Sequence, residues 1–255
     1  MKFEALASSS SGNAYIVSDS DTCILLECGI PYKQLQKLSG FALSELRACL
    51  VSHEHKDHSK SVDELISRGM DLYMSQGTAD ALGVELVRTV ADMEQFNIGS
   101  FDIVPFAVFH DAKEPLGFLI KSRVDGDILA FATDTVNLRY RFPGLNILAI
   151  EANYDKKILE KSEKLPEKIK HRIANTHMEI DTLCDYLSSL DLTNCREIFL
   201  LHLSDSSSNE QEFTKKVKKF VGKDIKIVAC PKKIEKNPKG ENTCGKRAEK
   251  SVHIL

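Results

Sequence analysis

The chain has 255 residues, of which 42% are hydrophobic and 28% are charged, and its formal net charge is −3. This composition is ordinary for one large globular domain, and the small net charge gives no bulk attraction to nucleic acid or to a membrane. No run approaches the roughly 20 apolar residues that span a bilayer, and the N-terminus lacks the apolar stretch of a signal peptide. We therefore expect a cytoplasmic protein without a membrane partner.

The cysteines support the same compartment. They form an odd set without a CxxC pair, and several lie in apolar, strand-like runs, which is typical of reduced and mostly buried thiols. The seven are Cys23, Cys28, Cys49, Cys184, Cys195, Cys230 and Cys244.

Short aliphatic and β-branched runs separated by turn residues predict ten strands. In chain order they cover residues 14–17, 23–27, 48–52, 71–75, 101–108, 117–120, 127–134, 146–152, 197–203 and 225–229. Helical spacing of apolar residues predicts helices at about 32–47, 61–69, 78–84, 164–190 and 209–222. The first half reads mostly as strands in hairpin order, and the second half alternates helix and strand. An α/β fold, a four-layer αββα sandwich of two mixed β-sheets, accommodates both patterns.

The composition changes near residue 231. Residues 1–230 are predicted to form one domain, whereas residues 231–255 contain seven Lys or Arg against three Glu and few apolar residues. This segment is predicted to be a basic, flexible C-terminal tail.

Three of the eight histidines lie in the segment HEHKDH, residues 53–58. Side chains alternate in an extended segment, so His53 and His55 can converge on one cation, while Asp57 and His58 fall in the following turn and can face a second position. Imidazole and carboxylate ligands suit zinc, with manganese or iron as alternatives, and two such ions form a binuclear hydrolytic site. A solvated turn that binds nothing is the alternative, but crowded histidines cost stability unless a cation coordinates them.

Further ligands are expected at strand ends. His110, Asp134 and His202 are lone polar residues that end or interrupt apolar strands, where a side chain without a partner is expensive to bury. Each alone could be a hydrogen-bonded core residue, and their joint occurrence after the histidine cluster favours metal binding.

These residues carry a family resemblance. HEHKDH matches the HxHxDH signature of the metallo-β-lactamase superfamily, and His110, Asp134 and His202 follow in the order of its third, fourth and fifth motifs. The chain most resembles the YycJ/WalJ-like exonucleases of that superfamily. Four segments carry this likeness, LASSSSGNAYIV at 6–17, FHDAKEPLGF at 109–118, FATDT at 131–135 and LLHLSDSSSN at 200–209.

The resemblance implies two divalent metal ions, zinc or manganese, and a function for each ligand. It implies that His53, His55 and His110 hold the first ion, that Asp57, His58 and His202 hold the second, and that Asp134 bridges both. The two cations would then activate water as the nucleophile, and Asp57 would also act in catalysis by orienting that nucleophile.

Four further positions are candidates for a function. Glu27 stands where the superfamily usually has Asp, either supporting the ligand loop or merely ending a strand. His177 is a candidate catalytic and substrate-binding residue, which would protonate the leaving group or bind phosphate, or else would cap a helix starting at 178–180. Ser11 and Asn13, in SSSSGN, are candidates for phosphate binding, or belong to a flexible turn.

The function that this resemblance implies is a metal-dependent phosphodiesterase, a DNA exonuclease. Asp134 as a bridging carboxylate, the subfamily segments and the lysine-rich stretch at 215–250 favour it. No insertion between Asp134 and His202 is long enough for the extra domain of some RNA-processing relatives, so DNA is favoured over RNA. A hydrolase of small substrates such as thioesters or lactones is the alternative. A third alternative is a binding or regulatory module whose site is occupied but catalytically slow, and the full ligand set argues against it. No protein partner is inferable.

Overall fold

Six strands of the first half pair in chain order to form one sheet in a computed structural model of the protein, which describes residues 1–230. The strands β1 to β3 pair antiparallel, and β3 to β6 pair parallel. Their bounds are β1 Lys2–Ser9, β2 Gly12–Ser18, β3 Cys23–Leu26, β4 Ala48–Leu50, β5 Asp71–Met74 and β6 Arg88–Thr89. The predicted tail at 231–255 lies outside the described residues.

Seven strands form the second sheet, again in chain order. The strands β7 to β10 pair antiparallel, and β10 to β13 pair parallel. Their bounds are β7 Phe96–Ile98, β8 Phe101–Ala107, β9 Leu116–Ser122, β10 Ile128–Ala132, β11 Ile147–Glu151, β12 Glu197–Leu201 and β13 Lys226–Ala229. Both sheets are therefore mixed.

Eight α-helices connect or flank these strands within residues 1–230. They are α1 Tyr32–Leu38, α2 Lys56–Ser59, α3 Val62–Ser67, α4 Gln76–Leu82, α5 Lys156–Lys161, α6 Glu167–Thr176, α7 Ile180–Ser188 and α8 Glu210–Val217. A 3₁₀ turn covers Leu43–Glu45.

Three layers of apolar side chains hold the sandwich together. Aromatic residues such as Tyr15 and Phe131 fill the space between the two sheets. Leu35 of α1 and Leu65 of α3 pack on the outer face of the first sheet, and Phe213 of α8 belongs to the cluster on the outer face of the second. This arrangement confirms the four-layer αββα sandwich.

Several elements differ from the sequence-based expectations. The helix predicted at 32–47 ends at Leu38, since Gly40 and Phe41 take left-handed φ angles of 62° and 64°. The helix predicted at 164–190 is two helices separated by the extended backbone of His177 and Glu179. Hairpin order in the first half is wrong between β3 and β6, because helices connect these parallel strands, and it is right for the antiparallel strands β7 to β9. The strands β1, β6 and β7 and the short helices α2 and α5 were not predicted.

The cysteines follow the prediction in part. Cys28, Cys49, Cys184, Cys195 and Cys230 are free and buried, whereas Cys23 is disulfide-bonded, so the prediction of a reduced thiol is wrong there. Among the described residues, no helix combines the length and apolarity that crossing a bilayer requires.

Candidate metal centre

Ionisable side chains collect where parallel strands of both sheets end. They are Glu27 after β3, His53 after β4, Asp134 after β10, Glu151 at the end of β11 and His202 after β12. Glu27, Asp134 and His202 have φ angles of 62°, 28° and 50°. Non-glycine residues rarely adopt this left-handed region, and such strain is concentrated at functional sites, where surrounding contacts impose it.

The first cluster consists of three imidazole rings. Nδ1 of His55 lies 3.1 Å from Nε2 of His53 and 3.2 Å from Nε2 of His110. Ligand atoms held tetrahedrally about 2.0–2.1 Å from zinc lie about 3.3 Å apart. The three nitrogens are therefore spaced to hold one ion.

The other ring nitrogens of this cluster have partners that fix the ring orientation. Nδ1 of His110 donates to the carbonyl oxygen of Thr176 at 2.8 Å, which leaves the Nε2 lone pair facing the cluster. Nδ1 of His53 is 2.8 Å from Oγ of Ser52. Burial holds the pKa of His53 well below its ordinary value. A neutral imidazole is the form that binds a metal.

The second cluster combines two histidines with two carboxylates. Nε2 of His58 lies 3.4 Å from Oδ2 of Asp57 and 3.4 Å from Oδ1 of Asp134, and Nε2 of His202 lies 3.5 Å from Oδ2 of Asp57. Within residues 1–230, Nε2 of His202 is buried without a hydrogen-bond partner. A buried polar atom without a partner costs free energy, so this nitrogen fits a coordinated cation.

Asp134 lies between the two clusters. Its Oδ2 is 3.5 Å from Nε2 of His110, while its Oδ1 is 3.4 Å from Nε2 of His58. Burial alone would raise the pKa of Asp134, but the adjacent His202 and His58 outweigh burial and hold it well below its usual range. One ionised carboxylate thus faces both clusters, with a different oxygen toward each.

Charge in the second cluster is balanced between rings and carboxylates. Burial alone would lower the pKa of His58, but Asp134 and Glu27 raise it well above its ordinary value. Burial alone would also lower the pKa of His202, but Asp134 raises it well above its ordinary value. The cluster therefore stabilises positive charge, whether protons or a cation carry it.

Glu151 is a site residue that the sequence analysis missed. Its Oε1 lies 2.6 Å from Nδ1 of His177 and 3.0 Å from Nδ1 of His202, and its Oε2 accepts from the backbone N–H groups of Thr135 and Met178. The carboxylate is fully buried. The sequence contains a pattern that indicates it, because Glu151 is a lone charged residue that ends the apolar run ILAI at 147–150.

His177 joins the two clusters. Its ring centroid lies 5.2 Å from that of His110 and 5.3 Å from that of His202, and its side chain is 14% exposed. The alternative helix-cap role is wrong, because Glu179 caps α7 by accepting from the N–H groups of Asp181 and Thr182. His177 instead follows α6 and caps its C-terminal end, where its N–H donates to the carbonyl oxygen of Ile173.

Glu27 is buried beside the second cluster. Its Oε2 accepts from the N–H of Ser52 at 3.3 Å and lies 3.6 Å from Nδ1 of His58. The longer side chain thus reaches behind His58 from the end of β3, which favours a supporting function over that of an ordinary strand-end residue.

The SSSSGN segment forms the tight turn between β1 and β2. Ser11 is exposed at this turn, and its N–H donates to Oγ of Ser9. Asn13 is fully buried, and its Nδ2 lies 3.2 Å from both the carbonyl oxygen of Asp57 and Nε2 of His58. Tyr15 donates to its Oδ1 at 2.9 Å. Both amide atoms of Asn13 therefore already have protein partners.

Comparison with known families and proteins agrees with this geometry. A family model described as the beta-lactamase superfamily domain matches residues 22–202. The exodeoxyribonuclease YycJ of Bacillus anthracis is 27% identical over 227 residues, which covers 80% of this chain and 83% of that protein. The exodeoxyribonuclease WalJ of Streptococcus pneumoniae is 29% identical over 226 residues, with 81% and 83% covered.

Solved structures show the same fold. The metallo-β-lactamase fold protein YhfI from Bacillus subtilis superposes with a TM-score of 0.68 at 15% identity, covering 89% of this chain and 96% of that one. Unliganded yeast PDE1 superposes with a TM-score of 0.65 at 11% identity, covering 90% and 97%. The chain therefore belongs to the beta-lactamase superfamily, has the metallo-β-lactamase fold and is a metal-dependent hydrolase.

Proposed function

We propose that this protein is a binuclear phosphodiesterase that degrades DNA as an exonuclease. The observation that carries the proposal is the Asp134 carboxylate, whose two oxygens face two separate ligand clusters. Two cations a few ångströms apart are typical of enzymes that cleave phosphodiesters. The names of the YycJ and WalJ relatives support DNA as the substrate.

The proposal assigns the clusters to two divalent ions, zinc or manganese. His53, His55 and His110 would hold the first, Asp57, His58 and His202 the second, and Asp134 both. When bound, the ions would neutralise phosphate charge and acidify a water molecule. The side chain of Asp57 is 24% exposed, so this carboxylate can also orient the attacking water from the solvent side.

His177 is proposed to protonate the leaving alkoxide. Its Nδ1–H donates to Glu151, which fixes the ring and leaves Nε2 for the substrate. Burial alone would lower the pKa of His177, but Glu151 and Asp134 outweigh it, so the pKa is raised. A raised pKa favours the protonated imidazole that a general acid requires.

Asn13 and Ser11 receive different functions in this proposal. Because the amide of Asn13 is buried against Asp57 and His58, we assign it to positioning the second cluster rather than to contact with phosphate. Ser11 is exposed, so it remains the candidate of this turn for a phosphate contact. The proposal also retains the cytoplasm as compartment, which the five free, buried thiols support and the disulfide-bonded Cys23 does not.

Metal analysis combined with a nuclease assay tests the proposal. The purified protein is expected to bind about two equivalents of zinc or manganese and to degrade 5′-phosphorylated DNA. Asp134→Asn should lose both metal and activity, whereas His171→Ala, a substitution of an exposed histidine on α6, should retain both.

Two results would contradict it. Intact DNA together with turnover of a thioester or lactone panel would favour the small-substrate hydrolase. Metal-free protein in which His53→Ala behaves as wild type would remove both enzymatic alternatives.

A further inference from the structure

Helix α6 contributes little to the core and yet contacts the metal centre at several points. Of its ten residues only Thr176 is buried. The Thr176 carbonyl oxygen accepts from His110, and His177, which follows the helix, contacts Glu151. Burial therefore does not fix the C-terminal half of this helix, and polar contacts with the site do.

Arg172 makes a further contact from this helix. Its Nε donates to Oδ2 of Asp111 at 2.8 Å, and its Nη2 lies 3.4 Å from Oδ1. Oδ1 of Asp111 is in turn 3.2 Å from Nε2 of His110. Two successive contacts thus connect the guanidinium to the first cluster.

The geometry leaves Arg172 able to bind an anion. Its side chain is 55% exposed, and within residues 1–230 its guanidinium hydrogen-bonds only to Asp111. That pairing uses Nε and Nη2, so the N–H groups of Nη1 are available. Asp111 restricts the orientation of the guanidinium and thereby reduces the entropy lost when Arg172 binds an anion.

The charges around Arg172 also favour a function for it in binding an anionic strand. Asp57 and Asp134 belong to the second cluster, and together with Asp111, which has the largest effect, they raise the pKa of Arg172. Carboxylates next to a reacting phosphate repel the rest of an anionic strand, and a fixed cation at the edge of the site offsets that repulsion. Guanidinium groups match phosphate oxygens in geometry as well as in charge.

We propose that Arg172, oriented by Asp111, binds a phosphate of the nucleic-acid strand adjacent to the scissile phosphate. The inference rests on the proposed function and deepens it, because it identifies a residue that distinguishes a polynucleotide from a small diester. A substrate with a single phosphate places nothing against Arg172.

The experiment compares Arg172→Met with wild type on two substrates, a 5′-phosphorylated DNA oligonucleotide and bis(4-nitrophenyl) phosphate. The KM for DNA should rise about tenfold with kcat little changed, and the slope of log KM against log salt should fall by about one. The kcat/KM for the small diester should stay within about twofold of wild type. Arg172→Lys should restore binding in part, because it keeps the charge and loses the planar fork.

Arg88→Met is the matched control. Arg88 also pairs with an aspartate on the surface, Asp71, and lies on strand β6. The Arg88→Met substitution should leave the KM and kcat for DNA and for the small diester at their wild-type values. A 5′-hydroxyl oligonucleotide identifies which phosphate is bound, since an effect confined to the 5′-phosphorylated strand indicates the terminal phosphate and an effect on both strands indicates an internal one.

Two further measurements, metal content and binding of an uncleavable phosphorothioate strand, distinguish failure of the inference about Arg172 from failure of the proposed function. The inference is overturned if Arg172→Met binds and degrades DNA as wild type does. It is also overturned if the variant loses metal or loses both activities equally, because Arg172 would then only support His110. If the wild type cleaves the diester and leaves DNA intact, the proposed function itself fails.

Discussion

Glu151 illustrates how single residues hold this site in a strained arrangement. The left-handed backbone at Asp134 and His202 costs of order 1–3 kcal/mol per residue unless surrounding contacts offset it. Glu151 supplies such contacts, since one oxygen faces His177 and His202 and the other accepts two backbone N–H groups. A buried carboxylate that accepts four hydrogen bonds positions other residues without contacting the substrate.

Glu151→Gln is expected to lower kcat by about 10–100-fold, because a neutral amide accepts more weakly than a carboxylate from Nδ1 of His177 and Nδ1 of His202. Steady-state kinetics together with metal content measures the effect. Glu197→Gln is the control, since Glu197 begins β12, at the end of the strand opposite His202, and pairs with Lys226. Equal activity of Glu151→Gln and wild type would show that the carboxylate charge is dispensable.

At the scale of elements, the loop after β3 packs closely against helix α2, and this contact fixes the position of the second cluster. The N–H of Cys28 donates to the carbonyl oxygen of His58, and the N–H of Ser61 donates to the carbonyl oxygen of Cys28. Gly29 lies in this contact, and a Cβ at Gly29 would come within 1.6 Å of the carbonyl oxygen of Asp57. The loop after β3 thus fixes helix α2, which carries Asp57 and His58.

Gly29→Ala should therefore displace α2, lowering the free energy of unfolding by about 1–3 kcal/mol and weakening metal binding. Urea denaturation and metal titration measure the two effects. Gly222→Ala is the matched control, because a Cβ there meets only Ile225 at an ordinary 3.8 Å. Wild-type metal affinity in Gly29→Ala would contradict this account of how α2 is held.

A second contact between elements joins the two sheets away from the metal centre. Oδ2 of Asp19 accepts from Ser100 at 2.6 Å and from Ser122 at 2.7 Å, and its Oδ1 accepts from the N–H groups of Asp21 and Thr22. Burial alone would raise the pKa of Asp19, but these hydrogen bonds outweigh burial and lower it. The turn between β2 and β3 is thus tied to the second sheet.

Since the folded pKa of Asp19 is lowered, its contribution to stability is complete above the unfolded pKa of about 3.9 and declines as the pH falls through the folded pKa. Asp19→Asn should reduce the free energy of unfolding at pH 7 by about 1–2 kcal/mol, and the difference from wild type should shrink below about pH 4. Urea denaturation at both pH values measures this. A difference that is unchanged or larger in acid would contradict it.

At the scale of the whole molecule, the metal centre closes one edge of the sandwich. The first sheet ends there in Glu27 and His53, and the second in Asp134, Glu151 and His202. Ions shared by these residues would connect the two sheets. Binding of the ions and global stability should therefore be coupled.

Chelation of the ions is expected to lower the midpoint of thermal unfolding, and zinc should restore it. A cation present at 100 times its Kd, binding only the folded state, contributes about 2.7 kcal/mol. Calorimetry with and without zinc measures this shift, and Asp134→Asn should abolish most of it. Identical midpoints with and without metal would show that the clusters bind no ion in the folded state.

The four-layer fold was predictable from the sequence, and so were the candidate ligands that the structure brings together. Hydrophobic periodicity predicted ten of the strands, and the spacing in HEHKDH indicated two ligand positions within six residues, because both signals are local. The short helix α2 escaped prediction since four residues contain too little of a helical period. The lone polar residues at strand ends indicated His110, Asp134 and His202, and the same rule would have found Glu151.

Only the tertiary structure decided which distant residues meet. Glu151 and His177 are 26 positions apart, and Asp111 and Arg172 are 61 apart, yet each pair is in direct contact. No local period relates such residues, because their distance depends on how strands are ordered in a sheet and on where a helix ends. The sequence by itself determined the elements and the ligands next to one another in the chain. The packing of two sheets against each other decided the supporting carboxylates and the position of Arg172, because these contacts join residues far apart in the chain that no local pattern relates.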